Sequence, residues 1–81
     1  MSITIYTGEG CRNCHRTMDV LTRKGIEFEA VDVATLPRAE ADALRAQEFR
    51  QLPVVVVEGG DSWDGFRADK LVTLAAEAVA R

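Results

Sequence analysis

The sequence predicts one α/β domain spanning residues 1–81. Three observations carry that expectation. Segments with strand-like and helix-like apolar spacing alternate along the chain, the pattern of an α/β protein. Four consecutive valines, Val54–Val57, form a run too short for a helix and apolar on both faces, as a central strand must be. An 81-residue chain has room for one hydrophobic core and no second domain.

Each element follows from its residues. Ile3, Thr4, Ile5 and Tyr6 are a β-prone run closed by Thr7-Gly8-Glu9-Gly10, which reads as a strand and a turn. From Arg12 to Lys24 the spacing Cys14, Met18, Leu21 is helical, and Gly25 stands where a C-terminal cap belongs. Phe28, Ala30 and Val31 lie in a second strand, Glu27 to Val33, joined to the first through the helix as a parallel βαβ unit. Thr35 is expected to cap a second helix with Pro37 in its first turn. Its buried stripe would be Leu36, Ala39, Ala43 and Leu44, and its end near Phe49. The valine strand follows Pro53, and Glu58-Gly59-Gly60-Asp61 turns it back into a short strand reaching Trp63. Leu71, Leu74, Ala75, Ala78 and Val79 mark an amphipathic C-terminal helix with Asp69 in its first turn. The predicted order is β-α-β-α-β-β-α.

Composition narrows the function classes. With 47% hydrophobic and 28% charged residues the chain is that of a globular protein, neither disordered nor membrane-embedded. The N-terminal residues Met1-Ser2-Ile3-Thr4-Ile5 lack the pattern of a signal peptide, so a cytoplasmic location is expected. A net charge of −3 argues against nucleic-acid partners, which demand phosphate neutralisation. Residues 12 to 24 nevertheless carry Arg12, Arg16, Arg23 and Lys24 against Asp19 alone. Arg23 and Lys24 suit a helix C-terminus, whereas Arg12 sits at the end where a cation is disfavoured.

The chemistry points to Cys11-Arg12-Asn13-Cys14, which holds the only two cysteines. A C-x-x-C pair at a strand-to-helix turn beside a βαβ pattern reads as a redox motif. At a helix start, residues three apart lie on one side, close enough to join as a disulfide. Cys11 would be the nucleophile, since free backbone N–H groups and the helix dipole stabilise its thiolate. In such motifs the thiol pKa falls from about 8.5 to roughly 7 or lower. Cys14, on the buried stripe, would then resolve the mixed disulfide.

Rival readings are weaker on chemical grounds. A structural disulfide closing so short a loop constrains the unfolded chain little. Zinc needs four ligands, and Cys11, Cys14 and His15 supply three at most. The string Cys11 to His15 also satisfies the C-x-x-C-H motif of c-type haem, but no second His exists and the remaining methionines are Met1 and Met18. No bound cofactor and no metal are expected.

Ile5-Tyr6-Thr7, the C-x-x-C, Leu52-Pro53-Val54-Val55 and Trp63-Asp64-Gly65-Phe66-Arg67 together resemble a glutaredoxin-type protein, more narrowly the NrdH redoxins. The resemblance implies a thioredoxin fold, a four-stranded mixed sheet flanked by three helices. It implies a monomeric electron carrier reduced by thioredoxin reductase at the expense of NADPH and oxidised by ribonucleotide reductase. It further implies that Pro53 is cis and faces the cysteines, with the Leu52 backbone pairing to an extended substrate. Trp63, Gly65, Phe66 and Arg67 would form a block holding the last loop near the site, with a surface toward the reductase; Arg12 and Asn13 would join them in substrate contact.

Departures from the family pattern matter too. Gly8 stands where a Lys is usual, and Arg12-Asn13 replaces the family's dipeptides. Glutaredoxins hold glutathione with that Lys and with an acidic or hydroxyl residue in the last loop, where this chain has Phe66-Arg67. Weak or no glutathione binding is therefore expected. Two alternatives stay open: a glutathione-dependent glutaredoxin, and a non-catalytic thioredoxin-fold binding module.

Overall fold

A computed structural model describes residues 2–47 and 51–79. Its elements are β1 (Ile3–Thr7), α1 (Arg12–Arg23), β2 (Glu29–Asp32), α2 (Arg38–Ala46), β3 (Val54–Val57), β4 (Ser62–Asp64) and α3 (Ala68–Val79), with a one-turn 3-10 helix over Val33–Thr35. The strands form one mixed sheet in the order β2-β1-β3-β4. β1 runs parallel to β2 and antiparallel to β3, and β3 pairs antiparallel with β4. None of the helices among the described residues is long and apolar enough to cross a membrane.

Register explains where the core sits. Ile5 lies opposite Val55, and Val55 opposite Trp63. That row shares one sheet face with Ile3 and Val57, and Leu21 of α1 and Leu71 and Leu74 of α3 close over it. All eight are buried; the valine run thus occupies the central position its β-branched, two-faced pattern demands. On the other face Val54 lines a cavity with Leu36, Ala41 and Leu44, which places α2 over that side.

The ends of α1 show how local sequence sets it. Gly25 adopts φ +71°, its N–H donates to the Thr22 carbonyl and the Ile26 N–H to that of Leu21. This is the Schellman arrangement that a glycine one position past a helix end permits. In the hairpin between β3 and β4 only Gly59 takes a positive φ, +74°.

Four expectations need correction. On α1 the fully buried residue between Cys14 and Leu21 is Thr17, and Met18 is half-buried. The second strand is shorter than Glu27–Val33: pairing begins at Glu29, past Phe28, which packs against the core, and ends at Asp32, where the 3-10 turn starts; as an edge strand β2 leaves Ala30 exposed. Thr35 does not cap α2. The Asp32 side chain accepts from the Ala34 N–H, its carbonyl accepts from the Thr35 hydroxyl, and the resulting 3-10 turn pushes Pro37 to the N-cap. Finally, α2 buries no residue: Ala39 and Ala43 are exposed, while Leu36, Ala41 and Leu44 are half-buried. The expected end near Phe49 lies outside the described residues, as do the side chains of Ala78 and Val79.

Candidate active site

Three segments meet at one end of the sheet. Tyr6 pairs with Val54, and Val54 with Asp64. The loop after β1, the approach to β3 and the loop after β4 therefore emerge side by side. The first carries Cys11, the second Leu52-Pro53, and the third Gly65-Phe66-Arg67.

Cys11 is the N-cap of α1, with extended backbone (φ −84°, ψ 103°). Its sulfur accepts the Cys14 N–H at 3.0 Å, taking the role a Ser or Asp oxygen plays at other helix starts. Its carbonyl accepts the His15 N–H, and its own N–H donates to Gly8. No acidic residue stands in the first turn, so the positive end of the helix is left to the sulfur. Cys11 is half-buried whereas Cys14 is 1% exposed. Their Cα atoms are 5.3 Å apart and the two sulfurs are joined as a disulfide. A partner thus reaches Cys11, while Cys14 is reached only through it.

The second loop is tied in by backbone and by packing. The Leu52–Pro53 peptide is cis, as the family resemblance implied, and Pro53 is buried. Its carbonyl accepts the Gly65 N–H at 2.8 Å, and the Gln51 N–H donates to the Asp64 carboxylate at 3.2 Å. A Cβ on Gly8 would lie 2.6 Å from Leu52 Cδ1. The glycine that replaces the usual Lys lets Leu52 lean onto the cysteine loop.

The third loop reaches α1. The Arg16 guanidinium lies 4.1 Å from the centre of the Phe66 ring, a cation–π contact. Arg67 makes a bidentate pair with Asp69, 3.1 and 2.9 Å, which holds Asp69 below and Arg67 above their ordinary titration ranges. Arg12 is exposed and Asn13 half-buried. Trp63 is 5% exposed and belongs to the core row with Val55, so its ring packs behind the loop after β4, and it borders a hollow with Asp61, Lys70 and Thr73.

Family membership follows from comparison. The glutaredoxin family model matches residues 3–62. The glutaredoxin-like protein NrdH of Salmonella typhimurium is 55% identical over 71 residues, covering 88% of this chain and 85% of that protein. The chain belongs to the NrdH branch of the glutaredoxin family. The solved structure of the NrdH-redoxin from Escherichia coli, a glutaredoxin-like protein described by its thioredoxin-like activity profile, is 51% identical and superposes with a TM-score of 0.82 over 91% of this chain and 95% of that one. A glutaredoxin from Brucella melitensis is 30% identical, with a TM-score of 0.66 over 95% of this chain and 80% of that one.

This NrdH-type chain therefore has the thioredoxin-like fold and is a thiol–disulfide oxidoreductase with Cys11 and Cys14 as its redox pair. Two features of the site are not announced by the sequence. The Arg16–Phe66 stack joins residues 50 positions apart with no pattern to link them. Thr17, buried between Cys14 and Leu21, lies off the apolar spacing Cys14, Met18, Leu21 that predicts the helix.

Proposed function

We propose that this NrdH-type redoxin carries electrons from thioredoxin reductase to protein disulfides, with ribonucleotide reductase as its target, acting as a monomer in the cytoplasm. The observation that carries this reading is the asymmetry of the pair: a half-exposed Cys11 at the helix N-terminus and a buried Cys14 bonded behind it. In the dithiol form the Cys11 thiolate attacks one sulfur of the partner disulfide, and the other partner sulfur leaves as thiolate and takes up a proton. Cys14 loses its proton and attacks Cys11 Sγ, and the second partner sulfur departs. Two electrons have passed to the partner, and thioredoxin reductase returns the Cys11–Cys14 disulfide to the dithiol using NADPH.

Arg12, Asn13, Leu52, Pro53, Gly65, Phe66 and Arg67 frame the approach to Cys11, the Leu52 backbone being free to pair with an extended segment. Thioredoxin reductase as the donor is supported by the activity profile described for the Escherichia coli relative. Gly8 and the Phe66-Arg67 pair, in place of charges that would grip glutathione, support it further.

An assay of NADPH consumption separates the donors. Rapid turnover with thioredoxin reductase and slow turnover with glutathione and its reductase is the expected result; rapid reduction by glutathione with none by thioredoxin reductase overturns the reading. The Cys14→Ser variant should trap partners on Cys11 as mixed disulfides. If the wild type shows no turnover while Cys11→Ser still abolishes partner binding, the chain is a binding module.

A further inference from the structure

Cys14 has to become a thiolate in a place that does not favour one. Burial at 1% exposure disfavours the charged form of a thiol. Its own backbone N–H is committed to Cys11 Sγ and that of His15 to the Cys11 carbonyl. A hydrogen-bond donor from the protein interior is needed.

Thr17 meets that need in position and in chemistry. It is 0% exposed, one turn beyond Cys14 on the same face of α1, where residues three apart are neighbours. Helical side chains lean toward the N-terminus, so Thr17 covers the turn that holds Cys14. Threonines inside helices commonly return their hydroxyl to a carbonyl three or four residues back. Here Thr17 Oγ1 has no hydrogen-bond partner among the described residues. A buried hydroxyl left unpaired destabilises the state in which it is unpaired, and that state is the disulfide form. Trp63 Nε1, also unpaired, belongs to a residue bordering a different hollow, with Asp61, Lys70 and Thr73.

We propose that the Thr17 hydroxyl donates a hydrogen bond to the Cys14 sulfur once the disulfide has opened, and so stabilises the thiolate that resolves the mixed disulfide. This rests on Cys14 being the resolving thiol. The Cys14 proton leaves to solvent and Thr17 keeps its own. The thiolate attacks Cys11 Sγ, the Cys11–partner bond breaks, and the departing sulfur carries off the electron pair and is protonated by water. The charged groups around the motif are Glu9, Arg12, His15 and Arg16 along the chain, Asp64 at the end of β4 and Arg67 on the loop that follows it. All remain in place in every variant below and bias each profile alike.

The test mixes the reduced protein with one equivalent of dithiobis(nitrobenzoate) in stopped flow from pH 5 to 9. The first nitrothiobenzoate released reports Cys11 attack, and the second reports resolution by Cys14. Thr17→Val should slow the second release about tenfold at neutral pH and move its pH midpoint up by about one unit, leaving the first release unchanged. Thr17→Ser should restore both to near wild type. The disulfide form of Thr17→Val should be at least as stable to urea as wild type, because an unpaired hydroxyl has been removed. An unchanged second release in Thr17→Val, a Ser variant that behaves like Val, or a disulfide form weakened by Val would each overturn the proposal. Cys14→Ser separates the two failures: persistence of the second release in that variant refutes the role of Cys14 itself, and its loss leaves the Thr17 result to be judged alone.

Discussion

Helices α1 and α2 carry comparable amphipathic patterns, yet the fold uses them differently. α1 leaves the central strand β1 and sinks Cys14, Thr17 and Leu21 into the core. α2 leaves the edge strand β2 and buries no residue. An amphipathic stripe says which side of a helix turns inward; the strand it hangs from decides how deep that side goes. The chemistry sits on the deep helix, where a sulfur can be shielded and its partner left at the surface.

Truncation should expose that difference most strongly. Leu21→Ala removes a fully buried side chain and should lower stability by about 2–5 kcal/mol. Leu44→Ala, on the half-buried face of α2, should lower it by about 1 kcal/mol. Urea midpoints compare the two, and equal losses would erase the contrast. Next in size is Gly65→Ala at the site end of the sheet. Gly65 has φ +76° and a Cβ there would meet the Gln51 amide, so a loss of about 1–2 kcal/mol is expected from the backbone conformation. The same variant should slow disulfide reduction if the Gly65–Pro53 hydrogen bond holds the substrate loop.

Much of this architecture was legible because it rests on short-range rules. The valine run, Gly25 behind α1 and the C-x-x-C at a helix start each say in a few residues what the structure realises. The exceptions are instructive. Asp32 was three residues from Thr35 and won the competition to cap a turn, which moved Pro37 outside α2. Thr17 and Met18 lie about 100° apart on the helix wheel, on either side of the line through Cys14 and Leu21, and tertiary packing, not local spacing, decides that Thr17 is the one covered. The Arg16–Phe66 contact depends on how the loop after β4 folds back, and no local spacing announces it. Family resemblance supplied the cis Leu52–Pro53 bond, which nothing in the neighbouring residues demands.

Smaller effects belong to the surface of the site. Arg16→Ala removes the stack on Phe66 and should reduce stability by about 0.5–1 kcal/mol, read from urea unfolding. Asp61, hydrogen-bonded to Lys70, and Asp69, hydrogen-bonded to Arg67, are held below their ordinary value of 3.8. The unfolded chain therefore binds more protons near that pH, so their contribution is complete above about pH 5 and is lost as the pH falls through the lowered values. Both are fully exposed, and the acid-side loss should shrink in high salt. Lys70→Met should remove the Asp61 part of this dependence while leaving the urea midpoint at neutral pH nearly unchanged, as expected for an exposed ion pair.

The most direct measurement is the rate of iodoacetamide alkylation of Cys11 in the reduced protein as a function of pH. A sulfur stabilised by the α1 N-terminus should titrate with a midpoint at about 7 or below. A midpoint at about 8.5, that of an unperturbed cysteine, would contradict the assignment of Cys11 as the activated nucleophile.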